Sequence, residues 1–251
     1  MNCEKGTLLV TGASRGIGAA TARLAARNGY AVCINHRNSA VLAQQVREEI
    51  VAQGGQACII QADIGREEDV QRLFQQLDQW GVAPLTALVN NAGMITGVRQ
   101  PFIEMESTLI RRILDVNLMG VMLCTQEALR RMARSSGGQG GNIIHVSSQA
   151  GVFGGRQIEA YAASKAAINT FTVGLSREMA PEGIRINAVS PGIVASGVYG
   201  DANAEELTRV GSTIPLGRIG RPEEVAQAIL WLMSEQAAYI TGVILPVAGG
   251  R

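Results

Sequence analysis

Tyr161 and Lys165 stand four residues apart in Tyr161-Ala162-Ala163-Ser164-Lys165, with Ser148 thirteen residues upstream. A phenol, an ammonium and a hydroxyl in one place can polarise a carbonyl or accept the proton of an alcohol. Residues four apart on a helix share a face, so the ammonium can lie beside the phenol or beside its ligand. A free tyrosine has a pKa of ~10, and a nearby cation lowers it by stabilising the phenolate; each unit is worth about 1.4 kcal/mol. Taken alone, Tyr-x-x-x-Lys is equally an ordinary half-exposed helix face. Its meaning depends on the frame that holds it.

That frame is 251 residues long, 47% apolar and only 4% aromatic. The length fits one large domain or two small ones, and the core must be aliphatic. Thirty glycines show no collagen-like period and mark turns and close backbone approaches. A net charge of +1 argues against a nucleic-acid surface or a basic membrane anchor. No apolar run approaches the ~18 residues of a membrane span, and Met1-Asn2-Cys3-Glu4-Lys5 leads straight into a short strand. Cys3, Cys33, Cys58 and Cys124 are widely spaced and read as reduced structural thiols. His36 and His145 are too few for a histidine-built metal site. The expectation is a soluble, cytoplasmic, metal-independent chain with neither nucleic-acid nor membrane partners.

Short β-rich runs alternate with helical stretches. The expected strands are Thr7–Thr11, Ala31–Asn35, Ala57–Gln61, Ala87–Asn90, Asn142–Ser147, Arg185–Ser190 and Val243–Pro246. They are continuous apolar runs, the pattern of strands buried on both faces. The expected helices are Gly16–Arg27, Ala40–Gln53, Glu67–Trp80, Ser107–Met132, Ile158–Met179 and Pro222–Met233, the last opened by Pro222-Glu223-Glu224. The alternation predicts an α/β fold: a Rossmann-type, doubly wound parallel sheet of about seven strands with helices on both faces, in three layers. No linker or repeat divides it, so 1–251 is expected to be a single domain. Ser135–Gly141 precedes a strand and reads as a surface turn. The stretch 192–216, with Gly197, Gly200 and Gly211, reads as a lid or substrate loop.

Thr11-Gly12-Ala13-Ser14-Arg15-Gly16-Ile17-Gly18 follows the first strand and opens the first helix. Glycine permits the tight turn and lets a pyrophosphate approach the backbone, where the helix N-terminus offers free N–H groups. The spacing is G-x-x-x-G-x-G, a variant of the commoner dinucleotide fingerprint. This turn, Asn90-Asn91-Ala92-Gly93, Asn117, Ser148, the Tyr161–Lys165 pair and Pro191-Gly192 occur in order. Together they resemble the short-chain dehydrogenase/reductase family in its single-domain form of roughly 250 residues. Within it the look is that of the 3-oxoacyl-carrier-protein reductases and glucose 1-dehydrogenases, and the resemblance spans essentially the whole chain.

The resemblance implies a catalytic set of Asn117, Ser148, Tyr161 and Lys165. Ser148 would hydrogen-bond the substrate oxygen. Tyr161 would give the proton in reduction and take it in oxidation. Lys165 would hold the nicotinamide ribose and depress the Tyr161 pKa, while Asn117 would hold a water in a proton relay. Ser147, the competing serine, is given a structural role. Around the cofactor the resemblance places Gly12, Ser14, Arg15, Gly16, Ile17 and Gly18, then Asp63 and Ile64 at the adenine, Asn90, Ala92 and Gly93 near the adenosine ribose and central sheet, and Pro191, Gly192, Val194 and Ser196 at the nicotinamide end. Asp63 is equally a local cap for the helix starting near Arg66. The same family is usually tetrameric, and the apolar stretches Trp231-Leu232 and Val243–Val247 suit a subunit interface.

An enzyme selecting NAD commonly carries an acid near the end of the second strand. Here Ile34-Asn35-His36-Arg37-Asn38-Ser39 has none, and Arg37 with Arg15 could pair with a 2′-phosphate. The expected cofactor is NADP(H), with NAD(H) possible. Substrate identity is less legible. Residues 94–98 and 149–158 and the loop after Gly192 should line the site, with Gln149, Phe153, Ile158 and Tyr199 as candidate contacts. A carrier-protein reductase needs a basic patch, to which Arg130, Arg131 and Arg134 could contribute; the uncharged 135–141 loop and Pro181-Glu182 favour a free small carbonyl or alcohol instead. A cofactor-sensing regulator remains as a non-enzyme alternative. A sugar-nucleotide epimerase would need a larger C-terminal region.

Overall fold

The computed structural model describes residues 3–95, 100–196 and 203–251. Seven strands form one sheet in the order β3-β2-β1-β4-β5-β6-β7. They are β1 Thr7–Val10, β2 Ala31–His36, β3 Ala57–Gln61, β4 Leu85–Asn90, β5 Gly141–Val146, β6 Ile184–Pro191 and β7 Ile244–Val247. Every adjacent pair is parallel. Winding reverses between β1 and β4, and a ligand crevice opens beyond the strand ends at such a reversal.

Period-two side-chain alternation distributes the strands between two cores. Leu8 and Val10 face one core with Ala22 and Ala25 of α1 (Gly16–Arg27), Val46 and Ile50 of α2 (Ala40–Ala52), and Ile229 and Leu232 of α9 (Pro222–Met233). Leu9 faces the other with Leu73 and Phe74 of α3 (Glu67–Trp80) and Cys124 and Ala128 of α5 (Gly120–Met132). The remaining helices are α4 (Ser107–Leu114), the short α6 (Ala150–Phe153), α7 (Glu159–Met179) and α8 (Ala204–Gly211).

Strand and helix bounds move by one or two residues from those expected, and beyond the short, unexpected α6 there are two larger departures. The single helix expected over 107–132 is broken by a π-helical turn at Asp115–Met119. Asn117, at the centre of that turn, binds the backbone of Met94 through both ends of its amide, at 2.8 and 2.9 Å. A π-turn is a common way to aim one helical side chain without ending the helix. Gly120 closes the turn because a Cβ there would stand 2.6 Å from the Ile64 carbonyl oxygen. The second departure is α8, within the segment expected to be a loop. Asn203 caps it by accepting from the Glu206 N–H at 2.9 Å, so the Asn-x-x-Glu spacing was a readable start signal.

Ser135–Gly141 is a surface turn entering β5, as expected. A Cβ at Gly141 would lie 2.1 Å from the Thr86 carbonyl oxygen. The four cysteines are free thiols. No described helix is long and apolar enough to cross a membrane.

Candidate active site

Two asparagines, Asn35 buried and Asn91 half-buried, hold the glycine turn between β1 and α1. From β2, Asn35 accepts the Gly12 N–H on its side chain at 3.3 Å and the Ala13 N–H on its carbonyl at 2.9 Å. After β4, Asn91 donates its side-chain amide to the carbonyls of Thr11 and Gly12, both at 2.9 Å. The Thr11 hydroxyl in turn accepts the N–H groups of Asn91 and Ala92 at 3.0 Å. Gly12 has φ +62°, and a Cβ on it would stand 2.8 Å from Ala92 Cα. Gly16, at φ +56°, lies against Ser196, whose Cβ would be 3.0 Å from a side chain there. The turn is thus a backbone cradle at a helix N-terminus, the arrangement that binds a phosphate. Sequence reasoning passed over Thr11, Asn35 and Asn91, although Asn at a strand end is a signal for side-chain-to-backbone bonding.

Ser148 follows β5, and Tyr161 and Lys165 share one face of α7. Gly151 lets α6 close on α7, since a Cβ there would lie 2.7 Å from the Lys165 carbonyl carbon. Burial pushes the Tyr161 phenol above its ordinary value, and hydrogen bonding with Ser148 pulls it back. Lys165 is buried and donates to the Val146 carbonyl at 2.7 Å, and burial lowers its ammonium to about 8. The expected depression of the Tyr161 pKa by Lys165 is not met: the ammonium is drawn to Val146 and lies 5.7 Å from the Tyr161 ring centroid. Gly93 lies close to both Lys165 and Asn117: a Cβ on it would be in van der Waals contact with Lys165 Nζ at 3.5 Å and with Asn117 Oδ1 at 3.4 Å.

The Asn117 amide is engaged with Met94 and also donates to Ser164 Oγ at 3.1 Å. Its side chain therefore ties the π-turn, α7 and the segment after β4 together. A water-holding role would fall to other atoms of the residue. Ser147 is structural, bonded to Asn169 Oδ1 at 2.6 Å and the Lys165 carbonyl at 3.2 Å.

Beneath the site runs a buried polar chain that sequence reasoning missed. Asn90 Nδ2 donates to Thr125 Oγ1 at 2.9 Å, Thr125 Oγ1 lies 3.4 Å from His145 Nε2, and His145 Nδ1 lies 2.9 Å from Thr172 Oγ1. Thr172 donates to the Ile168 carbonyl at 2.7 Å, so it must accept from His145. This places the proton on Nδ1 and makes Nε2 the acceptor of the Thr125 hydroxyl. Burial and the Lys165 charge hold His145 down at about 3, so it is neutral throughout the physiological range. Asn90 thereby links β4 to α5, while its neighbours adjoin the cradle.

At the far side of the cradle, beyond β2 and β3, lies an open cleft of about 610 Å³ lined by Arg37, Asp63, Arg66, Asp69, Arg72 and Arg112. Arg72 pairs with Asp69 at 2.6 Å, and Arg112 pairs with Asp63. Asp63 also accepts the Gly65 N–H at 3.0 Å, so it is a turn cap and ion-pair partner rather than an unoccupied acceptor. The Ile64 side chain is buried in the core, which leaves only its backbone to face a nucleotide. Arg15 and Arg37 are exposed.

Of the expected substrate contacts, Phe153 is 74% exposed and Ile158 is half-buried. Gln149 turns its amide nitrogen into β6 instead, towards the Ser190 carbonyl at 3.1 Å and Ser190 Oγ at 3.0 Å. Gly192 packs on Ala248, and Val194 is buried and bridges to Gly220. Tyr199 lies outside the described residues.

Fold and site together define a dinucleotide-binding oxidoreductase. The family model described as enoyl-(acyl carrier protein) reductase matches residues 12–251. The oxidoreductase YgfF of Escherichia coli K12 is 46% identical over 247 residues, 97% of this chain and 98% of that protein. A 3-oxoacyl-[acyl-carrier-protein] reductase of Synechocystis is 38% identical, covering 96% of this chain and 95% of its own. The crystal structure of acetoin dehydrogenase YohF from Salmonella typhimurium superimposes with a TM-score of 0.86 at 33% identity, over 98% of this chain and 95% of that one. The chain belongs to the short-chain dehydrogenase/reductase family.

Proposed function

We propose that the protein is an NADP(H)-dependent oxidoreductase that interconverts small free carbonyl compounds and alcohols, with Tyr161 as its acid–base group. The observation that carries this is the meeting of Ser148, Tyr161 and Lys165 beside the Ala92-Gly93 segment, which adjoins the Gly12–Gly18 cradle. The Asn35 and Asn91 clamps and the positive φ angles fit that cradle to a pyrophosphate. Gly93 brings the main chain after β4 close to Lys165, where a Cβ would already touch the ammonium, and Arg15 and Arg37 offer guanidinium groups to a 2′-phosphate. The nicotinamide supplies or accepts the hydride. Ser148 donates a hydrogen bond to the carbonyl oxygen and Tyr161 delivers the proton, so both stabilise charge developing on that oxygen. A phenol held above its ordinary value stays protonated at neutral pH, which suits the reductive direction.

Acyl-carrier substrates form the second reading, favoured by the carrier-protein reductases among the relatives. Against it, Arg131 is tied to Asp78 through two bonds, at 2.7 and 2.8 Å, and to Glu127 at 2.7 Å. The basic patch that would dock an acidic carrier is thereby largely neutralised. A cytoplasmic homotetramer fits β7, an edge strand whose apolar residues are only half covered. Turnover of diacetyl, ethyl acetoacetate and acetoacetyl-carrier protein with NADPH and NADH tests the proposal. A higher kcat/KM for free ketones with NADPH supports it. Preference for NADH, or for the carrier-linked thioester, would refute that part, and inactivity with every pair would refute the enzyme reading.

A further inference from the structure

Ser148 leaves β5 and Pro191-Gly192 leaves the neighbouring β6, and one residue ties the two exits together. Gln149 donates its backbone N–H to the Pro191 carbonyl at 3.0 Å. Its side-chain amide reaches the Ser190 carbonyl at 3.1 Å and the buried Ser190 Oγ at 3.0 Å. Three hydrogen bonds thus run from the residue next to Ser148 to two consecutive residues at the end of β6.

The side-chain donor is specific to an amide of this length. Glutamate of the same length has no donor when ionised, methionine of similar size has none at all, and asparagine is one methylene short. Sheet order gives the clamp its meaning. A dinucleotide whose pyrophosphate sat on the β1 cradle and whose adenosine faced the β2–β3 side would have its nicotinamide on the β4–β6 side of the sheet, given the strand order. We infer that Gln149 is a positioning residue for hydride transfer: it fixes the β6 exit that seats the nicotinamide relative to Ser148, which holds the carbonyl. The inference rests on the oxidoreductase reading above. It replaces the direct substrate contact expected of Gln149 with an indirect role.

A paired binding measurement separates this role from general stability. Reduced coenzyme and its analogue lacking the nicotinamide are titrated into wild type and Gln149→Met. NADPH is paired with 2′-phospho-ADP-ribose or, should NADH be preferred, NADH with ADP-ribose. The expected result is coenzyme affinity weakened about tenfold with analogue affinity unchanged. With diacetyl as probe, kcat should fall about 10- to 100-fold, as for a misplaced reacting group, with a smaller change in KM. Equal weakening of coenzyme and analogue would mark Gln149 as merely structural, and unchanged affinities would remove its role altogether; either overturns the inference. Wild-type protein that binds neither coenzyme would overturn the oxidoreductase reading, and this inference with it.

Discussion

The Lys165 ammonium donates to the main-chain carbonyl of Val146 at 2.7 Å, so this buried cation is anchored to the end of β5 rather than to the Tyr161 phenol. Strand β5 carries Ser148 two residues beyond that carbonyl, and α7 carries Tyr161 one turn before the lysine. With the Ser147 bonds to Asn169 and to the Lys165 carbonyl, this bond holds the helix that delivers the proton against the strand end that presents the serine.

Burial brings Lys165 down to about 8, so the ammonium prevails below that pH and is lost above it. With free enzyme and a ketone substrate, reductive kcat/KM should fall as pH rises through about 8. Lys165→Arg should move that limb upward, since a guanidinium stays charged. The folded pKa lies below the unfolded one, so the unfolded chain holds more protons between about 8 and the ordinary lysine value. Stability contributed by this site must then rise with pH across that window. Urea unfolding of wild type against Lys165→Met at several pH values measures the slope, which the variant should lack.

The Asn90–Thr125–His145–Thr172 chain is fully buried, and removing its middle hydroxyl leaves groups on both sides without partners. Thr125→Val keeps the shape and should cost about 1–3 kcal/mol. Chemical denaturation reads that cost directly. A variant as stable as wild type would show that the chain contributes nothing.

Arg37 stands exposed at the mouth of the arginine-lined cleft. Arg37→Ala should weaken NADPH binding by roughly 10- to 100-fold, the worth of a charge-assisted hydrogen bond or two, and leave NADH nearly untouched. Titration of both coenzymes into both proteins checks it. An equal loss for both would mean that Arg37 does not read the 2′ position.

The fold was legible because local signals agreed with one another. Apolar runs such as Leu8–Val10 and Ile143–Ile144 are buried on both faces, and the Gly12–Gly18 turn falls where a strand meets a helix. The Tyr161–Lys165 pair was readable from spacing on one helix face, while Ser148 was placed beside it by the family resemblance. What escaped were properties set by distant partners. The π-turn at Asn117 exists because Met94 lies 23 residues away in sequence and beside it in space. Val146 draws Lys165 from across the site, and Ser190 draws Gln149 out of the substrate space. His145, with Thr125 and Thr172 on either side, looks from the sequence like any polar residue in a strand. Local signals that went unread were the Asn203-to-Glu206 cap of α8 and the strand-end asparagines Asn35 and Asn91.

Replacing Tyr161 by phenylalanine removes one oxygen and leaves the ring on α7. The central claim is that this oxygen moves the proton. NADPH-dependent reduction of diacetyl by Tyr161→Phe, followed through the absorbance of the reduced nicotinamide, should fall about 10²- to 10⁴-fold, while NADPH affinity stays within a few-fold of wild type. Turnover by the phenylalanine variant at the wild-type rate would contradict the account, since no other group among the described residues has been placed to do that work.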